Sequence, residues 1–164
     1  ATLLAERKPD LLCAAISAPP LELGPGVSRM RLRLARLLRR FRPQLRLGAG
    51  IASSDLSRDV EVARAYDDDP LVFKRATTSF AVEMLDTVER IGSAGRHVQV
   101  PLLLLHGEAD RVCPPRGSRA FHAQLQGAGH RLRLYPMLRH EIMNEPEQEQ
   151  VFEDLLACVL EREA

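Results

Sequence analysis

The feature that most constrains the fold of this chain is a run of apolar residues, 100–105, that ends two positions before Gly107. An uninterrupted apolar run predicts a strand buried on both faces, as in the middle of a parallel sheet. Asp110 follows three residues after the glycine. It should lie in the loop at the carboxyl end of the strand, where open α/β sheets carry functional groups. Taken alone, Asp110 is equally consistent with a carboxylate that caps the helix beginning near Pro114.

A second predicted strand also leads to a polar side chain. Residues 131–135 alternate between basic and apolar side chains, and His140 lies in the turn after Pro136. Thirty positions separate His140 from Asp110, which leaves room for one helix and one strand. We therefore expect the two side chains on adjacent loops at the same edge of the sheet. A lone histidine there would indicate a solvated turn, but an aspartate beside it can fix the tautomer of a general base.

The rest of the chain alternates strands and helices. Residues 11–17 are mostly apolar and are followed by Ala18-Pro19-Pro20, where a strand would end. This pattern predicts a buried strand. Apolar spacing, glycines and prolines predict helices at residues 1–8, 27–41, 55–66, 77–91, 114–125 and 147–161. This order predicts an α/β fold with parallel strands and flanking helices. We divide it into core residues 1–20, a helical insertion at residues 21–75 and core residues 76–164.

Composition narrows the class of partner. The 23 basic and 22 acidic side chains nearly cancel, so net charge gives no reason to expect nucleic acid. Arginines cluster from Arg29 to Arg46, which is consistent with a solvated helix face or with an amphipathic helix on an anionic membrane. Three cysteines without metal-like spacing favour a reducing compartment. With neither a signal-peptide pattern nor an apolar run of about 18 residues, we expect a cytoplasmic location, with peripheral membrane contact as an alternative.

Other residues with chemical potential are weaker candidates. Cys113 lacks a nucleophile motif, so we expect it to line a pocket. His140-Glu141 begins like the zinc pattern H-E-x-x-H, but position 144 is Asn and Pro146 breaks the helix, so we expect neither a metal nor a cofactor. The remaining histidines lack spaced partners, and we expect them to be structural or solvated: His97, His106, His122 and His130.

Three blocks of sequence resemble the α/β-hydrolase superfamily, and more narrowly its bacterial monoacylglycerol lipase and lysophospholipase group, often described as serine aminopeptidase-like. Residues 100–112 resemble the acid block of that group, and residues 134–147 resemble its histidine block. Leu56-Ser57-Arg58-Asp59 together with Asp69-Pro70-Leu71-Val72 resemble its lid segment, which is the most family-specific of the three.

The resemblance implies the C-terminal portion of an α/β-hydrolase fold with an inserted helical lid at residues 21–75. It implies a serine hydrolase acting on a small, lipid-like acyl ester, with Asp110 as the orienting acid and His140 as the general base. A peptidase or a non-lipid esterase on the same scaffold, or a non-catalytic binding module, remains an alternative. The resemblance says nothing of the oligomeric state.

The nucleophile of such an enzyme is missing from this sequence. None of the eight serines lies in the G-x-S-x-G turn that presents a nucleophilic serine in α/β-hydrolases. Residues 1–10 are similar to the helix that leaves this turn, so we expect the turn and the oxyanion hole upstream of Ala1. The chain is therefore expected to be a fragment that is inactive alone.

Overall fold

The computed structural model describes residues 11–22, 29–48 and 50–163. The predicted helix at residues 1–8 lies outside the described residues. Within them, the strands are β1 (Ala14–Ser17), β2 (Arg46–Gly48), β3 (Arg75–Thr77), β4 (Leu102–Gly107) and β5 (Arg131–Tyr135). The helices are α1 (Arg29–Phe41), α2 (Val60–Asp68), α3 (Thr78–Ile91), α4 (Pro115–His122) and α5 (Gln148–Glu163).

The core sheet has the parallel topology that the sequence predicts. β4 lies between β1 and β5 and pairs in parallel with both, with Ser17 opposite Leu105 and Gly107 opposite Tyr135. All six residues of β4 are buried because helices cover both faces of the sheet. The α/β class and the parallel order are therefore confirmed.

Alternate residues of β4 build two cores, because successive side chains of a strand point to opposite faces. Leu102 and Leu104 pack on one face with Phe121 of α4, whereas Leu103 and Leu105 pack on the other face with Val151 of α5. Most predicted boundaries are within a few residues of the observed ones. Among the differences, β1 begins at Ala14 rather than at residue 11, and the predicted first residues Leu11 and Leu12 are exposed.

The segment between β1 and α3 contains a feature that the sequence did not predict. Residues 46–48 and 75–77 form the antiparallel pair β2–β3, although no strand was predicted in either range. Strands of three residues are too short for their alternation to stand out from a loop. α2 begins at Val60 rather than near Asp55, because the side chain of Asp59 caps the helix by accepting the N–H of Glu61.

α1 packs on α3 through one face and leaves another open. Leu32 is buried, and Arg36 forms ion pairs with Asp86 and Glu89 of α3. The opposite side of α1 carries an exposed apolar stripe, which we call the α1 stripe: Met30, Leu34, Leu37 and Phe41. In the described part of the chain, no helix is long and apolar enough to cross a membrane.

Candidate active site

Asp110 and His140 lie together at the carboxyl edge of the parallel sheet. Asp110 is in the loop after β4, and His140 is in the loop after β5, the neighbouring strand. His140 Nδ1 lies 2.9 Å from Asp110 Oδ2, within hydrogen-bond distance. The His140 side chain is 25% exposed, whereas that of Asp110 is 0% exposed. The predicted contact between these side chains is therefore present, with the histidine on the solvent side.

The two loops touch because β4 ends in a residue without a side chain. The N–H of Ala109 donates to the carbonyl oxygen of Leu138 at 3.0 Å. A Cβ placed on Gly107 would overlap the carbonyl oxygens of Leu138 and Arg139. Only glycine at this position lets the histidine loop pass so close to the strand end. Gly107 therefore sets the approach of the two loops that carry Asp110 and His140.

The carboxylate of Asp110 accepts hydrogen bonds at both oxygens. Oδ1 accepts the backbone N–H groups of Val112 and Cys113, each at 2.8 Å. Oδ2 is within 3.0 Å of His106 Nε2 and 2.9 Å of His140 Nδ1. Burial raises the pKa of Asp110, but hydrogen bonds from the two imidazoles and from the Cys113 backbone outweigh burial and hold this pKa well below its ordinary value. Asp110 is therefore ionised at neutral pH.

The alternative that Asp110 caps the helix after it is wrong. Pro114 is the N-cap residue of α4, and no side chain forms a capping hydrogen bond at this end of the helix. Asp110 instead bonds the backbone of its own loop, which fixes the direction of the carboxylate toward His140.

His106 was expected to be structural or solvated, and of these two alternatives the structure excludes the solvated one. It is fully buried on β4 and contacts Asp110 Oδ2, the Cys113 carbonyl oxygen and Ser118 Oγ. The sequence did hold a signal. Position 106 continues the buried phase of Leu102 and Leu104, and a polar side chain inside a buried strand needs a hydrogen-bond partner.

A buried carboxylate binds the loop of His140 to the segment between β1 and α3. Oε2 of Glu145 accepts hydrogen bonds from the backbone N–H of Arg58 at 3.1 Å and from Arg58 Nε at 3.0 Å. Oε1 of Glu145 accepts the backbone N–H of Arg139 at 2.6 Å. Ser57 Oγ donates to the carbonyl oxygen of Asn144 at 2.8 Å. Ser57 and Arg58 belong to the block that resembles a lid segment, so this block binds directly to the loop that carries the histidine.

Cys113 does not have the properties of a nucleophile. Burial and the nearby charge of Asp110 raise the pKa of the Cys113 thiol to about 12. A thiol with that pKa stays protonated at neutral pH and is unreactive. This result argues against Cys113 as a nucleophile, and its role as a wall residue stays a prediction.

The segment that begins like a zinc motif does not form one helix. Residues 142–144 form a short 3-10 turn, and α5 begins only at Gln148. Among residues 11–22, 29–48 and 50–163, no group of three or more His, Cys, Asp and Glu side chains is arranged to hold a metal ion.

Two cavities adjoin the site. One of about 280 Å³ is lined by Ser17, Ala18 and residues 140–144, which include His140. A larger cavity of about 450 Å³ also contacts Ser17, and most of its remaining lining is apolar, with Ile16, Pro19, Leu21, Met84, Val88 and Ile91. In the part of the chain that the structure describes, no serine hydroxyl forms a hydrogen bond with His140.

Comparison with known proteins places the chain in a family. A family described as "Serine aminopeptidase, S33" matches residues 1–147. Monoacylglycerol lipase of Mycolicibacterium smegmatis is 30% identical over 146 residues, which are 88% of this chain and 52% of that protein. Human monoglyceride lipase is 30% identical over 169 residues, covering 100% of this chain and 55% of that protein.

A solved structure gives the same result for the fold. The monoacylglycerol lipase of Paleococcus ferrophilus superposes with a TM-score of 0.88 at 29% identity, over 96% of this chain and 62% of that one. The chain thus spans about half the length of the relatives that it matches in sequence. The chain belongs to the serine aminopeptidase S33 family and has the fold of an α/β-hydrolase.

Proposed function

We propose that this chain is the acid–base portion of a serine ester hydrolase, with His140 as the general base and Asp110 as the acid that orients it. The observation that carries the proposal is the 2.9 Å contact between His140 Nδ1 and Asp110 Oδ2. Because Asp110 is ionised, Nδ1 carries the proton and Nε2 keeps the lone pair that takes a proton from the attacking hydroxyl. The ionised Asp110 then stabilises the imidazolium of His140, until this imidazolium gives its proton to the leaving alkoxide.

The proposed nucleophile is a serine that precedes Ala1. The support is that none of the eight serines of the chain lies in a G-x-S-x-G turn. The oxyanion hole draws on the residue after the nucleophile and on an earlier loop, so it would also be upstream. On this proposal, the 164-residue chain alone hydrolyses no ester, and the complete protein, meaning the chain with its upstream residues, does.

The proposed substrate class is a lipid-like acyl ester. Two relatives that match nearly the whole chain are monoacylglycerol or monoglyceride lipases. Ser17 lines both the apolar cavity of about 450 Å³ and the smaller cavity that His140 lines. An acyl chain in the larger cavity would place its ester group near the histidine. Residues 21–75 would then act as the lid over this acyl site.

The proposed route of the substrate is from a lipid surface, through the α1 stripe. The stripe is exposed, and Arg33 and Arg40 lie beside it and are also exposed. Apolar side chains flanked by arginines suit the interface of an anionic membrane. We expect co-sedimentation with anionic vesicles that is lost when Leu34 and Leu37 are both replaced by Glu. Equal binding of this variant would contradict the proposed contact.

The test of the proposed function is hydrolysis by the complete protein. It should hydrolyse a p-nitrophenyl ester, and His140→Ala should lower kcat by about 10⁴-fold or more. His97→Ala is the matched control, because His97 is exposed and lies away from the site. Turnover that His140→Ala leaves unchanged would refute the assignment.

The substrate class is tested in the same assay. A long-chain monoacylglycerol should be turned over, and an amino-acid p-nitroanilide should not. Preference for the anilide would favour a peptidase, the activity that the family description suggests. An upstream turn without serine, and no turnover of either substrate, would identify a binding module.

A further inference from the structure

The further inference concerns His106, a buried imidazole that the proposed mechanism does not use. Its side chain is 0% exposed. Nε2 lies 3.0 Å from Asp110 Oδ2 and 3.0 Å from the carbonyl oxygen of Cys113. Nδ1 lies 2.7 Å from Ser118 Oγ on α4. Every polar atom of the ring therefore has a partner, although the ring cannot reach a substrate.

These partners decide which ring nitrogen of His106 carries the proton. The two oxygens next to Nε2, a carboxylate and a carbonyl, can only accept, so Nε2 must be the donor. The hydroxyl of Ser118 can donate as well as accept, so it satisfies an unprotonated Nδ1. A neutral ring with its proton on Nε2 thus fits all three contacts. The ring is a fixed N–H donor aimed at Asp110.

The donor acts on the same oxygen that binds His140. Asp110 Oδ2 is shared by the two imidazoles, while Oδ1 is bound by the loop backbone. We propose that His106 is a positioning residue of the active site, whose Nε2–H holds Asp110 Oδ2 where it can orient His140. This inference rests on the proposed function, because it assigns His106 to the same acid–base pair.

A purely structural role makes a different prediction. If His106 only fills the core, any buried replacement of similar size would cost stability and leave the chemistry of folded molecules unchanged. If it positions Asp110, loss of the Nε2–H lowers kcat in folded molecules and leaves KM nearly constant, because the geometry of the base matters in the transition state.

Two amide variants separate these roles in the complete protein. The amide nitrogen of Gln reaches the place of the imidazole Nε2, whereas that of Asn reaches only the place of Nδ1. His106→Gln should therefore still donate to Asp110, and His106→Asn should contact only Ser118. We expect kcat for a p-nitrophenyl ester within about threefold of wild type for Gln and about 10- to 100-fold lower for Asn, with KM within about twofold for both.

The outcomes are distinct. Rates are normalised to the folded fraction measured by circular dichroism. Equal kcat values for the Gln and Asn variants, or a loss confined to KM, would overturn the positioning role while leaving the proposed function intact. A wild-type rate in His140→Ala would overturn the proposed function itself.

A measurement on the unmodified protein covers the case in which neither variant folds. A long-range ¹H–¹⁵N spectrum of the imidazole rings identifies the protonated nitrogen of His106. We expect the proton on Nε2 at neutral pH. A proton on Nδ1 with Nε2 bare would overturn the inference, since the ring would then have no donor for Asp110.

Discussion

The backbone N–H of Arg139 donates to the carboxylate of Glu145 at 2.6 Å, one residue before His140. The other oxygen of Glu145 binds Arg58, which lies 87 positions earlier in the chain. The Glu145 side chain is 0% exposed. A single buried carboxylate, that of Glu145, therefore joins the segment between β1 and α3 to the loop that carries the proposed general base.

Removal of this acid should destabilise the protein. In Glu145→Ala, the backbone N–H groups of Arg58 and Arg139 lose their acceptor, and each buried N–H left without a partner costs about 1–3 kcal/mol. Urea denaturation of the complete protein measures the change. The control is Glu147→Ala, which removes the exposed partner of Arg58 and should cost less than about 1 kcal/mol. Similar losses of unfolding free energy in the two variants would show that Glu145 does not hold the histidine loop against Arg58.

A methyl group at Gly107 should separate the two loops of the site. In Gly107→Ala, the new Cβ meets the carbonyl oxygens of Leu138 and Arg139, so the histidine loop must move outward. We expect a loss of about 3 kcal/mol in the free energy of unfolding and of about 100-fold in kcat. Gly48→Ala is the control, since nothing lies within 4 Å of a Cβ there. A normal kcat in folded Gly107→Ala would contradict this account.

The sheet and the pairing of Asp110 with His140 were predictable because each depends on a local pattern. β4 is an apolar run, and the observed bounds of β5 match the predicted 131–135. Parallel strands joined by one helix bring their carboxyl ends to the same edge, so the two loops had to be neighbours. Local pattern and chain order together thus located both side chains.

The remaining contacts of the site were not predictable, because their partners are distant in sequence or out of phase with any repeat. Glu145 and Arg58 are 87 positions apart, and neither differs in sequence from an ordinary surface charge. β2 and β3 are three residues each and are 27 or more positions apart. The link between His106 and Asp110 depends on the turn after β4, which brings close two residues that an extended strand would separate.

Cys113 should resist alkylation in the folded protein. With a pKa of about 12, the thiolate fraction at pH 8 is about one in ten thousand, compared with about one in four for an ordinary cysteine. Reaction with iodoacetamide, followed by peptide mass spectrometry, should be at least about 100-fold slower in the native protein than in urea. The same cysteine in urea is its own control, and equal rates would show that the native thiol is neither buried nor repelled by Asp110.

The lowered pKa of Asp110 should make stability depend on pH. Because this pKa is lower in the folded state than in the unfolded state, ionised Asp110 stabilises the fold above about pH 4, and the stabilisation is lost as the pH falls toward the folded-state pKa. The Asp110→Asn variant lacks this stabilisation at every pH, because its side chain does not ionise. The difference in unfolding free energy between wild type and Asp110→Asn should therefore shrink as the pH falls below about 4. Glu153→Gln, at an exposed position on α5, should follow wild type within about 0.5 kcal/mol throughout. A wild-type minus Asp110→Asn difference that stays constant across this range would mean that the hydrogen bonds to Asp110 do not favour its charged form.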